Sequence, residues 1–214
     1  MADKKHFIYL GGYPNTIDMM SSFSNENSTV LQIPHDRYYK NEEIIEHLYQ
    51  QFISVNRQID KDTQYIFILH DFGSIYGKFL INKYFYEYNC YVIFLSIGSQ
   101  ISRKYSLYLL YIQWLQLNWL LYLIFPPLAN LSHLLFLQYL FYMEKIPRDK
   151  RDYFIRNCSM NYLYFNVFEF VDVNEPLHPS IKSIFIRGNS VDALLDKNNT
   201  ADVIGPFNHW SFFN

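Results

Sequence analysis

The run Ile66-Phe67-Ile68-Leu69-His70-Asp71-Phe72-Gly73-Ser74-Ile75-Tyr76-Gly77 constrains the fold more than any other part of this chain. Tyr65 to Leu69 are apolar and largely β-branched or aromatic, as a strand covered on both faces of a parallel sheet must be. From Gly73 to Tyr88, Ile75, Phe79, Tyr84 and Phe85 recur at helical spacing. Asp71 therefore falls on the turn between a buried strand and a helix. Gly73 fits a place where strand and helix backbones approach closely, and the positive end of the helix favours an ionised carboxylate before it. Two readings of Asp71 stand on these residues: a reactive acid on a strained corner, or an ordinary helix N-cap.

The rest of the N-terminal half alternates strands with helices. His6–Leu10 reads as a strand entering Gly11-Gly12-Tyr13-Pro14, and Thr29–Ile33 as a second strand. Asn41 reads as the N-cap of an amphipathic helix with Ile44, Ile45, Leu48, Phe52 and Ile53 on one face and Glu42, Glu43 and Glu46 in its first turns. Cys90–Leu95 is another buried strand, ending at Ser96-Ile97-Gly98. This order implies an α/β fold with a mostly parallel sheet and ligands at the carboxyl ends of its strands. Tyr13, Asp71 and Gly98 would share that edge. Further on, Ser183-Ile184-Phe185-Ile186 reads as a strand leading through Arg187 into Gly188.

Three motifs taken in order resemble the α/β-hydrolase superfamily, in its epoxide-hydrolase and haloalkane-dehalogenase-like branch. His70-Asp71-Phe72-Gly73 is similar to that branch's His-Asp-aromatic-Gly elbow, whose Asp is the nucleophile. Gly11-Gly12-Tyr13-Pro14 resembles its His-Gly-aromatic-Pro motif, with Gly11 in the place of the His. Asn208-His209-Trp210 resembles the late Gly-His-Trp that carries the catalytic base. The resemblance implies Asp71 as nucleophile, His209 as base, and Asp192, after the strand at 183–186, as the acid that orients it, with Asp196 and Asp202 as alternatives. It implies an oxyanion hole from the backbone N–H of Phe72 and the Gly12–Tyr13 turn. It also implies a division into an N-terminal part of the core (1–100), a helical apolar cap (101–180) and a C-terminal part of the core (181–214). Against that resemblance, the family's first two strands and its final helix are expected to be missing from this sequence. A serine nucleophile is excluded on spacing, because Ser74 follows Gly73 directly rather than occupying the middle of Gly-x-Ser-x-Gly.

Composition narrows the classes. The net charge of −2 and the absence of basic runs argue against a nucleic-acid partner. The 7 His form no HxxxH or HxH pair, and Cys90 and Cys158 have no metal or redox spacing, so no metal and no cofactor are expected and the thiols read as reduced and buried. Met1 to Lys5 lead into no apolar signal region, which places the chain in the cytoplasm by default.

Residues 105–143 contain no Asp, Glu, Lys or Arg and are packed with Leu, Tyr, Phe and Trp around Pro126-Pro127. Two helices are expected on either side of the prolines, which break or kink any helix there. The segment reads either as a membrane hairpin, flanked by Arg103, Lys104 and Lys145, or as the cap that the resemblance implies; Gln113, Gln116 and Asn118 favour the cap. An apolar cap still allows membrane contact. The charged run Pro147-Arg148-Asp149-Lys150-Arg151-Asp152 is a solvated surface.

The expected function is that of a hydrolase with an Asp nucleophile, epoxide-hydrolase-like, acting on a small lipophilic substrate. Two other classes compete with it: a catalytically silent relative that binds or assembles with a protein partner at an exposed sheet edge, and a protein anchored in a membrane through 105–143.

Overall fold

Lys4–Leu10 forms the first strand (β1) of a six-stranded sheet, and its neighbours explain why an apolar run with His6 near its start folds this way. The strand pairs in parallel with Ser28–Leu31 (β2) on one side and with Thr63–His70 (β3) on the other. His6 meets Thr29 across the β1–β2 pair, with its Nε2 2.8 Å from Oγ1. Parallel pairing continues from β3 to Cys90–Leu95 (β4), to Lys182–Gly188 (β5) and to Val203–Gly205 (β6). The order is β2-β1-β3-β4-β5-β6. The structure, a computed structural model, describes residues 4–12, 23, 25–34, 39–71, 73–96, 114, 117–118, 120–143 (backbone alone at 140, 141 and 143), 146–148, 151–152, 155, 176–188 and 201–206.

Two helices cover β1 and β3. The first, Asn41–Asn56 (α1), buries Ile44, Ile45, Leu48 and Phe52, as its apolar spacing anticipates. Its start lies one residue earlier than the sequence suggests. Lys40 holds the N-cap position, its N–H donating to Glu43 Oε2 at 3.0 Å, while Asn41 is already helical and its Oδ1 accepts from the Tyr76 hydroxyl at 3.3 Å. The reason is Glu43: reaching back to the N-cap N–H, it completes half of a capping box without help from a side chain at the cap itself. The second helix, Gly73–Tyr84 (α2), ends short of the expected Tyr88 and packs beside α1. Tyr49 stacks on Tyr84 with centroids 3.9 Å apart, and Tyr84 donates its hydroxyl to Glu46. Phe52, Tyr65, Phe67 and Phe85 meet edge-to-face between the helices and the sheet. Such pairs add about 0.5–1.5 kcal/mol each beyond the area they bury.

Pro126 and Pro127 do something more specific than break a helix. A helical segment ends at Phe125, whose N–H donates to Leu121 O at 2.7 Å, and the helix Pro126–Met143 (α3) begins immediately after. Prolines at the first positions of a helix forfeit no hydrogen bond, because the N–H groups there have no partner within the helix. The corner is therefore tight, and helix stands on both sides of it. Trp114 stacks on Phe136 at 4.1 Å, and Asn118 Nδ2 donates to Ala129 O at 3.3 Å, so the two helices run back along each other. Among the described residues no helix is long and apolar enough to cross a membrane.

β6 is absent from the sequence reading. At the other end of the pattern, β2 stops at Leu31 rather than Ile33. Val203–Gly205 is too short to show alternation, and its place comes from β5: Asp202 N–H donates to Phe185 O at 2.9 Å and the Asp202 carboxylate accepts from Phe185 N–H at 2.7 Å.

Candidate active site

β1 has β2 on one side and β3 on the other, so the chain reverses direction of growth there, and in parallel sheets ligands bind beyond the strands' carboxyl ends at such a point. Asp71 stands at that place. It follows directly on His70, the last residue of β3, lies two positions before the first residue of α2, is buried, and has φ 51°. An N-cap residue takes an extended backbone; a left-handed φ on a residue other than glycine is the signature of a forced corner. The conformation is that of a strained corner and not of an ordinary N-cap; it says nothing of reactivity.

The corner is held on three sides. Asp71 N–H reaches Leu95 O of β4 at 3.4 Å, prolonging the β3–β4 ladder by one residue, and Asp71 O accepts from Ser74 N–H at 2.9 Å as the helix starts. On the third side is β1. A Cβ built on Gly73 would overlap the carbonyl oxygen of Leu10 and lie 2.8 Å from its carbon and 3.0 Å from Gly11 C. Only glycine lets the backbone of α2 touch the end of β1, and this contact brings the buried Gly11-Gly12 turn against the elbow. Ser74 is spent structurally, as its spacing anticipates: it is fully buried and its hydroxyl donates to Leu69 O at 3.3 Å. Gly77, one turn later, faces the Leu69 side chain, whose methyl groups would stand 2.5 and 2.6 Å from a Cβ there.

Of the expected site residues, Asp71 and Gly12 are thus adjacent to one edge of the sheet. Phe72, Tyr13, Asp192 and His209 lie outside the described residues, as do Asp196, Gly98 and Cys158. Asp202, the alternative orienting acid, is described and is occupied elsewhere. Its carboxylate caps the Phe185 N–H, three residues below the carboxyl end of β5, where Gly188 pairs with Gly205.

Three residues to which the sequence analysis gives no site role are buried and polar, two of them, Ser96 and Arg187, at the carboxyl ends of strands. Ser96, the first residue after β4, has φ 71°, is fully buried, and its Oγ has no hydrogen-bond partner. Its backbone N–H donates to Ile186 O at 3.0 Å. Two strained residues, Asp71 and Ser96, therefore end neighbouring strands. Arg187 is a buried cation one residue from the end of β5, and Lys78 is a buried cation on α2. Charged side chains are almost never fully buried, and that rarity was the available signal only once burial was known. Among the described residues no group of three or more His, Cys, Asp or Glu could hold a metal ion. Cys90, half-buried on β4 with its thiol donating to Phe85 O at 3.3 Å, is pushed up to about 12 by burial and is inert as a thiolate.

No protein-family model matches the chain. No curated protein matches it at a significant level either. Solved structures do. The epoxide hydrolase CorEH, without ligand, superposes with a TM-score of 0.55 over 94% of this chain and 81% of its own, at 13% identity. A thioesterase domain bound with a dodecadepsipeptide superposes with a TM-score of 0.50 over 99% of this chain and 88% of its own, at 14% identity. At these identities the likeness speaks for the backbone alone, and it settles the architecture: this chain has the α/β-hydrolase fold.

Proposed function

We propose that the protein is a hydrolase in which Asp71 is the nucleophile, on a small lipophilic substrate carrying an electrophilic carbon such as that of an epoxide. The observation that carries the reading is the left-handed conformation of Asp71 at the end of a central strand, at the sheet's switch point and before the N-terminus of α2. Strain of this kind costs about 1–3 kcal/mol and persists where the surroundings impose it, commonly at reactive residues. A carboxylate is a competent nucleophile toward an alkyl carbon, and the start of α2 favours its charged form.

In this reading an Asp71 oxygen attacks a ring carbon of the epoxide, a C–O bond of the ring breaks, and the released alkoxide takes up a proton to become a hydroxyl. The product of this step is an ester on Asp71. His209, oriented by Asp192, removes a proton from water, which attacks the ester carbonyl. The tetrahedral oxyanion is stabilised by the N–H of Phe72 and one from the Gly12–Tyr13 turn. Collapse expels the second oxygen of the diol as an alkoxide, which takes the proton from His209, and the carboxyl group left on Asp71 loses a proton, equal to the one taken up in the first step, to regenerate the carboxylate. The first step needs no base; the second does.

That asymmetry is the test. Asp71→Asn keeps shape but removes the nucleophile, and turnover of an epoxide panel should vanish with the fold intact by circular dichroism. His209→Gln should accumulate the ester, read as a mass increase on Asp71 equal to the substrate. Unchanged turnover in Asp71→Asn removes the proposal. Absence of turnover in the wild-type chain across the panel favours the silent binding relative instead.

A further inference from the structure

The two-helix hairpin between Trp114 and Met143 exposes large apolar side chains on its outside, and the pattern of that exposure bears on what could cover it. Its seam is narrow: Asn118, Ala129, His133 and Leu137 are buried there, with Trp114 stacked on Phe136 and His133. On α3, Leu131, Leu135 and Tyr142 are more than half exposed and lie half a helical turn away from Ala129, His133 and Leu137. In the preceding helix Leu120 and Leu123 are also more than half exposed and stand opposite Asn118. The two apolar stripes therefore face away from each other, with the seam between them. The corner that joins them is the most apolar point, with Ile124 81% and Phe125 55% exposed.

This arrangement argues against a protein partner. A folded partner presents one surface and covers one stripe, and specific interfaces carry a polar rim. Here the tip and both outer faces are apolar but for Gln138, exposed on α3 one turn before Tyr142, and no Asp, Glu, Lys or Arg occurs from 105 to 143. An environment that surrounds the hairpin satisfies all three at once.

We propose that this hairpin inserts tip-first into one leaflet of a lipid bilayer. Lengths and end groups agree with that placement. Pro126 to Tyr139 covers about 20 Å at 1.5 Å per residue, and half of a bilayer with its headgroups is about 20–22 Å thick. With the tip near the bilayer's mid-depth, Tyr139 and Tyr142, 62% and 69% exposed, reach headgroup level, where amphipathic rings are favoured. In the sequence Lys145 follows α3, and Arg103 and Lys104 precede the uncharged stretch, so cations flank the segment along the chain as anionic headgroups would favour. The insertion is monotopic, since α3 is not apolar enough to cross. It does not depend on the reaction proposed for Asp71.

Flotation of the full chain with vesicles tests it, using phosphatidylcholine alone and phosphatidylcholine with phosphatidylserine. The wild-type chain should float with both and more strongly with the anionic mixture, with only the anionic increment lost at high salt. The double variant Ile124→Asp/Leu128→Asp alters exposed side chains alone and should keep its circular dichroism spectrum while its partition falls at least about tenfold. Asp71→Asn should float like the wild type. A wild-type chain that stays with the soluble fraction in both mixtures overturns the proposal, as does a double variant that floats unchanged. A wild-type dimer that the double variant dissociates, with no vesicle binding by either, assigns the face to a second copy and overturns it too.

Discussion

The elbow and the hairpin are both tight turns between regular elements, yet they are held in opposite ways. At the elbow, Asp71 is fixed by β4 through Leu95, by β1 through Gly73 and Leu10, and by its own helix through Ser74. Two of the three neighbours, β4 and β1, come from distant parts of the chain, and together with the helix start they keep a residue in a conformation it would not choose. At the hairpin the corner residue, Phe125, bonds, among the described residues, to its local turn partners Leu121, Leu128 and Ala129, in a conformation that two prolines favour without help. Strain imposed from afar marks a place where chemistry is expected. Local comfort with an apolar outside marks a place where a medium is expected.

The contrast breaks first at Gly73. Gly73→Ala should cost more than about 3 kcal/mol and abolish folding or lower Tm steeply, because the added methyl meets the backbone of Leu10 and not a side chain that can rotate. Ile124→Ser, at the hairpin corner, should stay within about 0.5 kcal/mol in detergent-free buffer. Thermal melts of the two variants side by side measure the difference, and equal losses would mean that the corner depends on long-range packing as the elbow does.

Acid should separate the same two regions. His133 is fully buried between the hairpin helices, and burial holds its pKa down to about 3 against an ordinary value of 6.5. The folded state keeps the ring neutral where the unfolded chain would protonate it. Stability from this group is therefore complete above about pH 6.5 and falls progressively toward pH 3, by about 2 kcal/mol at pH 5 at about 1.4 kcal/mol per unit. His6 in β1 is also lowered, first by burial and then by Lys4, and pulls in the same direction with a smaller shift. On acidification the Trp114 signal of the hairpin should change before hydrogen exchange in β3 does, and His133→Leu should remove the early transition. Simultaneous loss of both signals would show that the hairpin is no separate cooperative unit.

How much of this was legible depends on how local the cause is. The sequence predicts β4 with its true ends, because Cys90–Leu95 is an apolar run between Asn89 and Ser96. The elbow was legible in kind, from Asp71 and Gly73 after a buried strand, while the contact with Leu10 that makes Gly73 necessary involves a residue more than sixty positions away. Asn41 reads as the N-cap because Asn is the better capping side chain; Glu43 acting on the Lys40 backbone moves the cap by one. β6 has no signal of its own and is recruited by the Asp202–Phe185 pair. Ser96 looked like an ordinary strand end, since nothing in Ser96-Ile97-Gly98 tells which residue will take the left-handed turn. For the candidate site, one acid and one glycine turn stand together at the expected edge; the roles given to His209 and Asp192 rest on motif order.

A milder test of the elbow is Gly77→Ala. The methyl would press on the buried Leu69 side chain, which can give where backbone cannot, so the cost should be about 1–2 kcal/mol. Combining it with Leu69→Val should recover part of that loss, a coupling that a double-mutant cycle reads directly. Additive losses would place the strain in the α2 backbone instead.

The smallest expected effect distinguishes the two strained strand ends from each other. Ser96 shares a left-handed φ with Asp71 and is as deeply buried, but its hydroxyl is left without a hydrogen-bond partner. Burying an unpaired hydroxyl costs about 1–3 kcal/mol, so Ser96→Ala should stabilise the fold by about 1 kcal/mol once the lost packing of the oxygen is deducted. Ser96→Gly removes the hydroxyl and the φ strain together, at the expense of a more flexible unfolded chain, and should land close to the Ala variant. Urea melts of the two variants measure these differences. If Ser96→Ala is destabilising while Ser96→Gly is neutral, the hydroxyl is satisfied in solution and the strain alone remains. If both stabilise and epoxide turnover is unchanged, the strained end of β4 serves the sheet, and only the strained end of β3 serves the reaction.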